Sequence, residues 1–90
     1  MMMETSRDIT SDVSRYLHET FWPDVREFAI DPDRSLSEQG VVQSLHWLDL
    51  VLFLEKTFMI RVEPYELWEG NFGSLNAIGR YVATKINETR

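Results

Sequence analysis

Residues 44–58 constrain the possible fold more than any other stretch of this chain. Trp47, Leu50, Val51, Leu54 and Phe58 recur at i, i+3, i+4, i+7 and i+11, the spacing of one apolar face on an α-helix. Leu45, Leu48 and Leu52 make a second stripe beside the first, with Phe53 nearby. A helix that is apolar around most of its circumference is either wholly buried or lends its spare face to a partner. The chain has 90 residues, which leaves little material to bury such a helix completely. In a small bundle the second stripe either packs beneath a loop or meets another protein, and periodicity leaves both arrangements open.

Helical spacing recurs on both sides of this segment. Ile9, Val13, Tyr16, Leu17 and Phe21 predict a first helix over about residues 6–21, with Thr5 or Ser6 available to cap it. Pro23 ends it, because the residue before a proline is pushed out of the helical region. Residues 22–43 hold Pro23, Pro32, Gly40 and several Asp and Ser, and read as a long ordered loop. Val25, Phe28, Ile30 and Leu36 are its candidate ties to the core. The second helix is expected over about 44–58. Pro64 at a first helical position suggests a short third helix over about 64–69, with Gly70 and Gly73 bracketing a further turn. Ser74 then caps a last helix, about 74–88, with the stripe Leu75, Ile78, Val82 and Ile86. The expected fold is an all-α four-helix bundle of one domain, with a long loop between helices I and II and a short helix III.

Charge and composition narrow the function. Fifteen acids against nine bases give a net charge of −6. Nucleic acids and anionic membranes call for a basic footprint, so neither is an expected partner; enzymes with basic docking patches are. The absence of cysteine excludes disulfides, thiolate metal sites and a Cys nucleophile. His46, Asp49, Glu55 and Lys56 interrupt the apolar run from Leu45 to Ile60, which excludes stable membrane insertion. Met1 to Glu4 show no basic region leading into an apolar run, so the expected location is cytoplasmic, and the expected state is a monomer.

Ser44 stands at the head of the central helix. By chemistry alone a serine there is first of all an N-cap. The same position also suits an esterified phosphate, because free N–H groups and the helix dipole favour negative charge. The surrounding pattern goes further. Gly40, two residues, Gln43, Ser44 and Leu45 are followed by Asp49, Leu50, Val51, Leu54, Glu55, Phe58, Ile60 and Val62 in one ungapped register. Residues 71–78 then lead into the last helix. Over roughly residues 35–86 this resembles the acyl carrier protein family, and the first helix agrees in type and place.

The resemblance implies an acyl-carrier-like bundle and a non-enzymatic role. It implies that a phosphopantetheinyl transferase attaches 4′-phosphopantetheine from coenzyme A to Ser44. The arm would carry acyl groups as thioesters to acyl-loading and acyl-processing enzymes, in a specialised lipid, polyketide or related pathway. An aminoacyl or D-alanyl carrier is the first alternative, and an unmodified carrier-like interaction module the second. Gln43, Leu45, Leu48, Asp49, Leu52 and Glu55 are the expected partner-facing residues. Three departures from the family pattern point to dedicated partners. Gln43 stands where the family has Asp; His46, Lys56 and Arg61 dilute the acidic face; Trp47 is large for its place.

Other chemistries fail on the residues. Asp31 to Ser35 open with the spacing of a calcium loop, but its sixth position is Leu36 and its twelfth Val42, where Gly and Glu are needed. No metal and no catalytic residue is therefore expected. Ser44 and His46, two apart, point to different sides of a helix and make no nucleophile–base pair. His18 and His46 read as solvated surface groups.

Overall fold

The computed structural model describes residues 6–43 and 45–88. Among the described residues four α-helices form: α1, Ser6–Phe21; α2, His46–Phe58; α3, Glu69–Phe72; and α4, Leu75–Glu88. A 3₁₀ turn, Pro64–Glu66, precedes α3. Among the described residues there is no strand. The fold is an all-helical small bundle. Thr5, one of the two expected caps of α1, lies outside the described residues.

The stripes close on one another. Ile9, Val13 and Leu17 of α1, Leu50 and Leu54 of α2, and Ile78 and Val82 of α4 are completely buried. Each such side chain contributes about 1.5–3 kcal/mol by leaving water. α4 is the hub, packing on α1, α2 and α3, most extensively on α1. Ser74 caps it, its Oγ accepting from the Ala77 N–H at 3.1 Å.

The long loop is an ordered layer. Leu36 and Val42 are fully buried, and Phe28 and Ile30 pack against the core. Val25 does not: it is exposed, and the loop is held there by its backbone instead. The His18 Nε2–H donates to the Val25 carbonyl at 2.7 Å, and the His18 ring stacks on Phe28 at 4.8 Å. Leu36 N–H donates to the Gly73 carbonyl at 2.9 Å and Asn76 N–H to that of Pro32 at 2.9 Å, fixing the loop to the head of α4. Inside the loop Gln39 is a hub. Its Oε1 accepts from Asp31 N–H at 2.9 Å, while its Nε2 donates to the carbonyls of Asp31 at 2.9 Å and Arg34 at 3.0 Å. Gly40 takes φ +74, a left-handed turn that a side chain resists.

The third element differs from the expected helix over 64–69. The helical path stops after one 3₁₀ turn, where the backbone of Leu67 and Trp68 leaves the helical region, and the Glu66 side chain fastens the turn. Its carboxylate closes a capping box with the Glu63 N–H at 2.9 Å. Its Oε1 also accepts from Tyr81 OH at 3.1 Å and from Lys85 Nζ at 3.0 Å, tying the turn to α4. The Asn71 side chain takes the Glu66 carbonyl at 2.9 Å. Trp68 is extended, and α3 starts afresh at Glu69.

The Glu66 cluster sets a pH dependence. Burial alone would raise the Glu66 pKa, but the hydrogen bonds from Glu63 N–H, Lys85 and Tyr81 outweigh it and hold the carboxyl below its ordinary value. The hydrogen bond to Glu66 holds Lys85 above its own, against burial. A lowered carboxyl pKa stabilises the fold above the unfolded-state value and loses that contribution as pH falls through the folded one. A raised lysine pKa acts below its unfolded value and is lost as pH rises through the folded one. The pair therefore acts in full between the ordinary carboxylate and lysine ranges. Glu66→Gln should cost roughly 1–3 kcal/mol at neutral pH. In urea unfolding across pH it should also flatten the loss of stability below about pH 4; an unchanged slope would place that loss in other carboxylates.

α2 ends at Met59, which has φ 55 and ψ 46 with its side chain exposed. The left-handed conformation costs a residue with a side chain about 1–2 kcal/mol. Met59→Gly removes that strain but frees the unfolded chain. A net gain of about 0.5–1 kcal/mol is expected in chemical denaturation; a loss would show that the Met59 side chain contributes packing that outweighs the strain.

Candidate functional site

α2 begins at His46, two residues later than its stripe suggested. Leu45 occupies the N-cap and offers no side-chain hydrogen bond. A reciprocal pair closes the helix head instead. His46 N–H donates to the Gln43 carbonyl at 2.7 Å, and Gln43 N–H donates to His46 Nδ1 at 3.1 Å. The second bond requires an unprotonated Nδ1. The ring stacks on Phe21 at 4.1 Å and meets Trp22 edge-on at 6.2 Å. Trp22 Nε1–H reaches the Val41 carbonyl at 2.9 Å. His46 is thus a half-buried clasp between α1, the loop and α2, and His18 is likewise half-buried, so neither is the solvated group expected from sequence. Ser44 lies outside the described residues.

The two stripes of α2 have separate environments. Leu50 and Leu54 are at 0% exposure, whereas Leu45, Leu48 and Leu52 stand at 88%, 68% and 53%. The long loop does not cover the second stripe. Leu45, Leu48 and Leu52 follow i, i+3, i+7 and make an apolar ridge along the helix. Phe53, beside it, is half-buried, stacked on Tyr16 at 4.0 Å. Asp49 is exposed next to the ridge. Burial raises the Tyr16 hydroxyl pKa, and the negative charge of Asp49 raises it further.

The six expected partner-facing residues therefore separate. Gln43, Leu45, Leu48, Asp49 and Leu52 are exposed at the start and along the free side of α2. Glu55 is half-buried and accepts the Val62 N–H at 2.9 Å, anchoring the segment after the helix. Sequence reasoning passed over a second exposed group, Tyr65, Leu67 and Trp68, because residues 64–69 were read as a short helix started by Pro64. The available signal was Gly70, whose missing side chain leaves room for the Trp68 indole.

Among the described residues no group of His, Cys, Asp and Glu is placed to hold a metal ion, and no helix is long and apolar enough to cross a membrane. No protein-family model matches this sequence, and neither does any curated protein compared with it.

Proposed function

We propose that this chain is a carrier protein that holds acyl intermediates as thioesters on a 4′-phosphopantetheine arm esterified to Ser44. The observation that carries the reading is the uncovered ridge of Leu45, Leu48 and Leu52, which starts immediately after Ser44 and has Asp49 at its flank. A tethered cargo needs a surface on which successive enzymes dock close to the attachment point, and this ridge supplies one. Gln43 and Leu45, on either side of Ser44 in the chain, are both exposed, which suits access by a transferase. The transfer joins the serine oxygen to the phosphopantetheine phosphorus of coenzyme A and releases 3′,5′-bisphosphoadenosine; the serine proton leaves with a base of the transferase. Nothing in this chain need catalyse it.

The same ridge suits the second reading, an unmodified docking module, and Gln43 in place of an acid favours it. Intact-mass analysis after incubation with coenzyme A and a broad-specificity transferase separates the two. One phosphopantetheine per chain supports the carrier. A chain left unmodified by several competent transferases overturns it. Mass analysis of protein recovered from its native host distinguishes acyl from aminoacyl cargo.

A further inference from the structure

The two histidines use their rings in opposite ways. His18 is a donor: its Nε2–H donates to the Val25 carbonyl at 2.7 Å. A protonated imidazole keeps that N–H, so the bond survives in either charge state. His46 is an acceptor: its Nδ1 takes the Gln43 N–H at 3.1 Å. A protonated imidazole carries a hydrogen on both nitrogens, so this bond exists only with the neutral ring. His46 is also the first residue of α2, and its own N–H donates to the Gln43 carbonyl at 2.7 Å. Gln43 and the helix head are therefore tied twice, and one of the two ties depends on a proton.

The surroundings of the ring do not replace that tie. α1 offers Phe21, stacked at 4.1 Å, and the loop offers Trp22, edge-on at 6.2 Å. The Trp22 Nε1–H is already taken by the Val41 carbonyl. Of the titratable and charged groups on these elements, His18 is turned to Val25 and Phe28. Glu19 on α1, Asp24, Arg26 and Glu27 in the turns after Trp22, and Asp49 on α2 are exposed. Among the described residues no ion pair includes His46. Asp49, one turn along α2, favours a cation at His46, and so does the Phe21 face, while the positive end of the helix dipole opposes one. None of these three bonds to the Gln43 N–H.

We propose that His46 is a proton-operated latch on the head of α2. With the ring neutral the latch is closed, and Gln43 is held to the helix. With the ring protonated two N–H groups face each other, the Gln43 N–H turns to water, and Gln43 and Leu45 are released while the ring stays on Phe21. Leu45, 88% exposed, is the first residue of the apolar ridge, so the proton decides whether the ridge begins there or at Leu48. The latch does not rest on the carrier reading, and the unmodified full chain tests it. Nitrogen NMR of the imidazole reads the tautomer; hydrogen exchange, referred to the intrinsic rate at each pH, reads the Gln43 amide. At about pH 8 Nδ1 of His46 should be the ring nitrogen without hydrogen. Between about pH 8 and about pH 5, where an imidazole takes up its proton, protection of the Gln43 amide should fall about tenfold. His46→Asn places an amide oxygen where Nδ1 stands and does not titrate, so it should keep the protection at both pH values. His46→Phe keeps the stack without the acceptor and should lack the protection at both. The contact from His18 to Val25 should persist throughout. Unchanged protection in the parent chain, an equal fall in His46→Asn, or a hydrogen on Nδ1 at about pH 8 would overturn the latch. If His46→Phe does not fold, the parent titration and His46→Asn decide.

Discussion

Leu54→Ala should lower the unfolding free energy by roughly 2–5 kcal/mol, the range for truncated core leucines. Leu54 lies on the inner stripe of α2 at 0% exposure, and α2 packs on α4, the helix to which the other elements attach. Truncation forfeits the transfer free energy of the lost carbons and leaves a cavity. Leu54 belongs to the buried core cluster, and how far that cluster relaxes around the gap sets where in the range the cost falls. Leu52→Ala is the matched control, with the same atoms removed from the same helix at 53% exposure. It should change stability by less than about 0.5 kcal/mol. Urea unfolding of both variants checks the assignment of the two stripes; equal losses would mean that α2 is buried on both sides.

The difference between these two leucines shows how far the sequence could be read. Period gave both stripes of α2, because apolar residues three and four apart share a helix face. It turned the stripe with Leu50 and Leu54 toward the core but could not say whether the second lay beneath the loop or open, since that depends on what covers it. The helices with one stripe, α1 and α4, posed no such choice, and Ile9, Val13, Leu17, Ile78 and Val82 are all buried. Residues 64–72 were harder. The backbone turns out of the helix at Leu67 and Trp68, and the turn before it is fastened by Glu66 bonded to Tyr81 and Lys85 across the chain, a long-range bond that no local pattern announces. Gln39 and His46 were opaque for the same reason. An amide that gathers the backbone of Asp31 and Arg34, and an imidazole clasped between Phe21 and Gln43, become structural only once the loop has folded over them. At the candidate site, Leu45, Leu48, Asp49 and Leu52 were legible as a helix face. The bond from the Val62 N–H to Glu55 was not legible, because sequence places an acid on a helix without showing which backbone N–H it meets.

Ser44→Ala should abolish phosphopantetheine transfer completely, the largest effect expected for any single substitution in this chain. The carrier reading allows one attachment oxygen, and alanine has none. Persistence of the adduct in the alanine variant would move the arm to another hydroxyl. Loss of the adduct with helical content and urea midpoint unchanged would separate chemistry from folding. Gln43 should then control the rate rather than the site. Its backbone N–H and carbonyl are both engaged with His46, while its side chain is exposed and stands where the resembled family carries Asp. An amide matches a carboxylate in hydrogen-bond acceptance but not in charge, and hard cations such as magnesium prefer the carboxylate. A transferase that approaches with a metal-bound coenzyme A and a basic surface therefore meets a less favourable field here than on its usual substrates. Gln43→Asp should speed modification mainly through encounter and binding, so that kcat/KM rises more than kcat. An aspartate just ahead of α2 also favours the helix dipole, so the urea midpoint is measured alongside to keep stability apart from rate. Equal single-turnover rates for the parent chain and the Gln43→Asp variant, at equal stability, would remove the side chain from the functional surface and leave Ser44 as the one residue on which transfer depends.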